Sequence, residues 1–365
     1  MTTTSEYIVA ISQLEMSANT FGHFDGNRQA VHIGNVLGAL EDKPSKAHDS
    51  AYDGIPTMVT PRELRLLQNF FATRAIDGLI MEFGPYLGGS TAAIISGLAA
   101  SGFSGRYYAF DAFSWDDPAF ISILSRDFES LGGAQRFGER ISGLVCSGDW
   151  LGLFSSLHRS RNYGRIEVRP CRFVLPTSPT DLRRPLVDAL EASDASAKLG
   201  AVFIDGFKSW HATHVGMTEI LPYLKSGTKL IFQDFSWYDC YWLPILIAFC
   251  GDRVRLTHKV DNTAIFDVVN PDLGEAIHLF GPTLDPDKKS SYAGILRDWA
   301  TAQFHSGDEV GFLCHSAQLY VLLLTARDYI AAADQVVFLR SMCERLNVGW
   351  LAKDLERSDF SISAA

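Results

Sequence analysis

Four acidic residues stand at the ends of four apolar, strand-like runs. Glu82 closes residues 79–82, Asp111 follows 106–110, Asp205 follows 199–204, and Asp234 lies just beyond 229–232. Acidic groups are seldom buried without a partner. In an open parallel sheet, ligands sit beyond the carboxyl ends of the strands, where the strand order reverses. Four carboxylates converging on one such edge therefore point to a binding site. Its densest part is Met81-Glu82-Phe83-Gly84-Pro85-Tyr86-Leu87-Gly88-Gly89-Ser90-Thr91, followed by the small, apolar residues 92–100. A strand ends in an acid, turns through glycines and enters a helix. Glycine lets the backbone approach a ligand closely, and a helix N-terminus offers unpaired N–H groups. The segment reads as a cofactor loop of the nucleotide type.

The chemistry of that cofactor is narrowed by spacing. Gly84, Gly88 and Gly89 do not follow G-x-G-x-x-G, the pattern that cradles a dinucleotide pyrophosphate, and Glu82 has no role in such a cradle. A ligand with an amino-acid end fits better, because backbone carbonyls and a carboxylate can meet its ammonium group. Asp111 after the second strand suits ribose hydroxyls, as the acid of dinucleotide folds does. A nicotinamide dehydrogenase is therefore the poorer reading.

Groups able to move a proton follow the fourth strand. Lys208 lies three residues beyond Asp205, with His211 and His214 at the start of the next helix. Lysine serves as a base if burial or a nearby cation lowers its pKa, and otherwise it is a solvated loop residue. Histidine titrates near neutral pH, yet either one equally suits packing at a helix start. Trp210, Trp237, Tyr238, Tyr241 and Trp242 cluster after the fourth and fifth strands. They read either as the wall of an acceptor pocket or as core between the sheet and later helices.

The elements that position these residues alternate. Thr60-Pro61-Arg62-Glu63 is a capping box with proline at the first helical position, and Leu64, Leu67, Phe70 and Phe71 continue it at helical spacing. Strands are expected at 79–82, 106–110, 166–175, 199–204 and 229–232. Helical patterns lie between them, one over 213–224. Residues 254–260 and 263–269, joined by Asp261-Asn262, form a closing antiparallel hairpin. The expected fold is α/β: a Rossmann-like, mostly parallel seven-stranded sheet with helices on both faces, plus a C-terminal helical extension. Residues 1–59 read as an N-terminal extension, with a helix over 28–40 and a polar loop or lid over 41–54. Residues 60–270 form the main domain. Residues 271–365 carry helices over 291–304, 310–329 and 332–346, as a dimerisation or substrate-capping element or as helices completing the core.

Taken together, Glu82-Phe83-Gly84 with Gly88-Gly89-Ser90-Thr91, the stretch Phe203-Ile204-Asp205-Gly206 through Leu221-Pro222-Tyr223-Leu224-Lys225-Ser226-Gly227, and Ile231-Phe232-Gln233-Asp234-Phe235 resemble class I S-adenosylmethionine-dependent methyltransferases. The resemblance is to the small-molecule O-methyltransferase branch, which includes catechol-type enzymes, macrocin-like methyltransferases and a cephalosporin-hydroxylase-like group. It covers roughly residues 60–270. It implies that Glu82, Gly84, Tyr86, Gly88 and Ser90 surround the methionine end of S-adenosylmethionine, that Asp111 holds the ribose, and that Ala112 and Phe113 lie beside the adenosine. It also implies Mg²⁺ at Asp205, Gln233 and Asp234. Catechol-type members use an Asp-Asn or Asp-Asp pair where this chain has Gln233-Asp234, so the site has lost a charge. Lys208 stands where those enzymes place a general base, with Asp205 and His211 beside it. The implied function is methyl transfer to a hydroxyl of a small molecule, such as a natural-product intermediate. The alternative is a non-methylating or accessory member of the same fold.

Composition sets the outer bounds. The chain has 365 residues, 47% hydrophobic and 20% charged, and a net charge of −10. That balance argues against a nucleic-acid partner, because phosphate neutralisation needs clustered Lys and Arg. The six cysteines show no C-x-x-C pair and read as reduced thiols. No stretch reaches the roughly 20 apolar residues of a bilayer crossing. A cytoplasmic homo-oligomer acting on a small molecule, away from membranes, is the expectation.

Overall fold

A computed structural model of the chain describes residues 50–175, 186, 197–346, 348 and 351. The helix expected over 28–40 and most of the 41–54 loop lie outside these residues. The described chain opens with a hairpin, β1 (Ser50–Tyr52) and β2 (Ile55–Thr57). Its turn is Asp53-Gly54, both at positive φ, the two-residue geometry that Asp-Gly favours. Residues 50–54, read as part of a polar loop, are therefore a strand and a tight turn.

Nine strands and twelve α-helices follow one another among the described residues. After the hairpin come α1 (Pro61–Ala72), β3 (Leu79–Phe83), α2 (Gly89–Ala100) and β4 (Arg106–Asp111). Four helices precede the next strand: α3 (Pro118–Ser130), α4 (Gly133–Phe137), α5 (Glu139–Cys146) and α6 (Leu151–Arg159). Then come β5 (Glu167–Arg172), β6 (Leu199–Ile204), α7 (Trp210–Ile220), β7 (Lys229–Phe232), α8 (Trp242–Cys250), β8 (Val254–Val260) and β9 (Thr263–Val268). The chain ends in α9 (Gly274–Phe280), α10 (Lys289–His305), α11 (Glu309–Thr325) and α12 (Tyr329–Arg345).

Seven of the strands form one sheet in the order β5-β4-β3-β6-β7-β9-β8. β3 pairs in parallel with β4 on one side and β6 on the other, while β9 runs antiparallel to both β7 and β8. The fold is the Rossmann-like α/β arrangement expected, with helices beyond it at the C-terminus. Strand order reverses between β3 and β6, so the crevice above their carboxyl ends is the topological switch point.

The central strands are buried end to end, which is why they read as continuous apolar runs. Alternate side chains serve opposite layers. Ile80, Tyr107, Ala109, Phe203 and Ile231 meet α1, α2, α3 and α6 on one face. Met81, Phe83, Val202, Ile204 and Phe232 face a second core that continues without a break through Tyr292, Leu296, Trp299, Leu313 and Leu322. Trp210 stacks on Phe280 with ring centres 4.2 Å apart, and Tyr238, Tyr241 and Trp242 are buried in the same core. Of the two readings of that aromatic cluster, the structure takes the core for these four residues.

α11 is tied to the loop after β7. The Gln318 amide donates to the carbonyls of Phe235 and Trp237 at 3.0 and 2.8 Å. Its oxygen lies 2.7 Å from His315 Nδ1, so Nδ1 carries the proton and Nε2 faces the Ser236 hydroxyl at 3.4 Å. Burial, then the charge of Lys259, pushes His315 down to about 3. The fold therefore requires the neutral ring, whereas the unfolded chain protonates near 6.5. This contribution to stability is fully present above about pH 6.5 and fades as pH falls towards about 3. Urea melts at stepped pH should show a steeper acid loss for the natural chain than for His315→Leu. Equal slopes would contradict this account.

Candidate active site

The loop after β3 is built by conformation. Gly84 lies at φ +83°, and a Cβ there would sit 2.8 Å from Gly206 N and 2.9 Å from the Asp205 carbonyl carbon. Only glycine lets the ends of β3 and β6 meet this closely. Tyr86 also adopts a left-handed φ of 51°, and Gly88, at +91°, precedes the first residue of α2. The imidazole of His158 covers Gly88 on the side where a side chain would project, and Thr57 from the hairpin does the same at Gly89. His158 Nε2 donates to the Leu87 carbonyl at 3.2 Å, and its Nδ1 accepts from Tyr163 at 2.7 Å. Burial holds this ring near pKa 4 and therefore neutral. Arg161 binds the carboxylate and carbonyl of Asp53, which pins the hairpin beside the loop.

Glu82 lies beneath the loop with no exposed surface. It accepts from Ser90 at 2.6 Å, from Thr91, and from Tyr107 at 2.8 Å. Burial raises its pKa, and the three hydroxyl donors oppose that rise. Ser90 is itself buried. Glu82 and Ser90, expected to line the methionine end of the cofactor, hold each other, and the backbone of 84–89 lies above them. Tyr86 likewise turns its hydroxyl to Asp127 at 2.9 Å, while its carbonyl accepts from the Trp150 indole at 3.1 Å.

Asp111 ends β4 beside this loop. Its Oδ1 accepts from Phe113 N at 2.9 Å. Burial lifts its pKa to about 6 against the pull of the Phe113, Tyr86 and Ala112 amides. The Tyr86 amide links this carboxylate to the glycine loop. Ala112 offers its carbonyl to Arg172 at 2.8 Å. Phe113 is fully buried and packs against Trp150 and Phe154, so its ring does not flank an adenosine. It is core.

Beyond β6 and β7, three charged groups converge. The Lys208 ammonium bridges Asp205 and Asp234, at 2.5 Å from Asp234 Oδ2. Asp234 reaches this position from a left-handed backbone, φ 61°. Burial alone would lower the Lys208 pKa, but the charges and hydrogen bonds of both aspartates outweigh it and drive it well above the ordinary lysine value. Burial raises Asp205, with Lys208 opposing. Both aspartates favour the charged ammonium on this half-exposed side chain, which does not favour the general-base role expected of Lys208. His211 sits half-buried in the first turn of α7, and His214, one turn on, is lowered by burial and by the nearby His211 and His278.

Gln233 does not join this group. Its oxygen accepts from Thr263 and its amide donates to Glu63 at 3.4 Å. Glu63 is buried and also accepts from Asn262 N at 2.9 Å, with the Thr263 hydroxyl 3.1 Å away, while its other oxygen completes the α1 capping box. Burial, then the charge of Asp261, pushes it up to about 7. Mg²⁺ prefers near-ideal octahedral oxygen at roughly 2.1 Å. Two carboxylates already joined by an ammonium, with the third group turned away, do not fit it. Among the described residues, no three His, Cys, Asp or Glu side chains are grouped to hold a metal.

Three parts of this site escaped sequence reasoning. The hairpin was signalled by Asp53-Gly54. The Asp117-Pro118 start of α3, with Asp117 as its cap, was an available helix signal. Nothing in the sequence marks His158, whose role arises only when α6 packs against the loop. A separate cleft of about 650 Å³ lies at the opposite edge of the sheet, lined by Asp77, Phe103, Arg106, Arg165 and Glu167. That edge carries the amino ends of β3–β5, away from the switch point. No helix among the described residues is long and apolar enough to cross a membrane.

Neither a family model nor a curated protein matches the chain. Solved structures similar to it include the O-methyltransferase NovP, at 16% identity and TM-score 0.38, over 59% of this chain and 82% of that one. An O-methyltransferase from Bacillus cereus in complex with SAH aligns at 16% identity and TM-score 0.31, over 72% and 97% of the two chains. The SAH-bound methyltransferase PaMTH1 of Podospora anserina aligns at 12% and 0.30, over 74% and 98%. Likenesses this distant assign no activity. The functional reading rests on the chain's own residues.

Proposed function

We propose that the chain transfers a methyl group from S-adenosylmethionine to a hydroxyl of a small molecule, in a main domain spanning 60–270. The observation that carries this reading is the left-handed glycine loop at the β3–β6 switch point, with Glu82 bonded beneath it and the Asp111 carboxylate alongside. Glycine at position 84 keeps this loop against the end of β6, where a side chain would strike the Asp205 and Gly206 backbone, and the backbone of 84–89 is assigned to the methionine end of the cofactor. Asp111 fits the ribose hydroxyls through the oxygen not used by Phe113 N. When bound, the cofactor supplies an electrophilic methyl on its sulfonium.

The chain's own part is positioning and proton transfer. Asp205 and Asp234, held by Lys208, orient the acceptor hydroxyl. Asp205, raised by burial, serves as proton acceptor, and His211 lies in the first turn of α7. A natural-product intermediate is the acceptor class we favour, with the helices of 271–365 completing its enclosure or a dimer contact.

Calorimetry with S-adenosylmethionine and S-adenosylhomocysteine tests the reading. Both should bind, and Asp111→Ala should weaken both at least tenfold. No heat from either ligand would sink it.

A further inference from the structure

The charges at the ends of β6 and β7 support a step beyond this reading, and rest on it only for their catalytic meaning. We propose that the Lys208 ammonium is a built-in cation for Asp205 and Asp234, occupying the place where this resemblance calls for a divalent metal. The site then orients an acceptor without a metal ion.

The geometry argues this in three parts. Two carboxylates brought together from neighbouring strand ends repel, and a cation between them removes that repulsion. Lys208 Nζ touches one oxygen of each, and it comes from the loop directly after β6, three residues from Asp205, so the bridge is local and short. Gln233, the remaining oxygen ligand, is committed to Glu63 and Thr263. It cannot turn to a metal without leaving the buried Glu63 without one of its donors. Lysine is a compact point charge with three donors. One N–H can serve each aspartate, and the third remains for an acceptor oxygen. Lys208 is thus a positioning residue: it fixes both carboxylates and offers a donor.

The consequence is a latent metal site. Removing the ammonium leaves two carboxylates facing the same space, 18% and 23% exposed, where water can complete a coordination shell. Mn²⁺ binding, read from the loss of its free-ion electron paramagnetic resonance signal, tests this on the full chain without any methyl acceptor. The natural protein should show no Mn²⁺ binding that Asp205→Asn removes. Lys208→Ala and Lys208→Met should each gain one equivalent, at least tenfold tighter than the natural chain, and lose it again when Asp234→Asn is added. Using both variants, with circular dichroism on each, separates a lost fold from a lost cation. The proposal is overturned if the natural chain binds Mn²⁺ through Asp205, or if neither folded Lys208 variant gains it. Failure of methyl transfer itself would appear instead as absent S-adenosylmethionine binding, with the Mn²⁺ result unchanged.

Discussion

Replacing Glu82 with alanine should lower the melting temperature by about 10 °C and abolish cofactor binding. Three hydroxyls, from Ser90, Thr91 and Tyr107, converge on this one buried carboxylate. Alanine leaves all three donors in a site with no exposed surface. Each orphaned buried group costs about 1–3 kcal/mol, so the sum is a large share of the roughly 5–15 kcal/mol that holds a domain together. The carboxylate's own burial offsets part of this, since burial already raises its pKa. Glu82→Gln is the discriminating partner. It keeps the shape and one acceptor oxygen, and it should retain more than half of the lost stability. Differential scanning calorimetry of both variants measures this. Equal melting points for Glu82→Ala and the natural protein would show that the three bonds stabilise nothing.

Gly84→Ala should raise the dissociation constant for S-adenosylmethionine by about a hundredfold or more, close to 3 kcal/mol. Two effects add. A left-handed φ costs an L-residue roughly 1–2 kcal/mol. The new methyl would also lie within 3 Å of the Gly206 and Asp205 backbone, which cannot yield without separating β3 from β6. Gly102→Ala isolates the first effect, because Gly102 has φ +81° and nothing within 4 Å. It should lose stability slightly and leave cofactor affinity untouched. If Gly84→Ala binds the cofactor as tightly as Gly102→Ala does, the close approach of the two strand ends has no role in binding.

The sheet is largely legible in the sequence. Its central strands are buried on both faces, so unbroken apolar runs mark them, and the Thr60 capping box carries its own signature. The glycine loop was legible for the same kind of reason, since its conformation needs specific residue types. Side-chain partners were not. Glu82 and Ser90 read in sequence as lining the methionine end of a cofactor, and spacing cannot say that α2 folds its first turn back onto the acid below. Lys208 reads in sequence either as a base or as a solvated loop residue, because an offset of three residues says nothing about Asp234 arriving from the next strand. Gln233 was read as a metal ligand, and it turned out to be bonded to a glutamate 170 positions earlier. Charge balance at the site depends on contacts between strand ends that are remote in sequence, and no local pattern encodes them.

The Glu63 contacts also bear on how the chain is made. Its partners Asn262 and Thr263 lie 199 and 200 positions later. At a synthesis rate of about 5–20 residues per second, that interval lasts roughly ten to forty seconds. Through it, α1 emerges with its capping box already available, but its acid has no long-range donors and its apolar face has no finished sheet to cover. The nascent chain must wait with a formed helix and an unformed clasp, and the β8–β9 turn is the element whose arrival ends the wait.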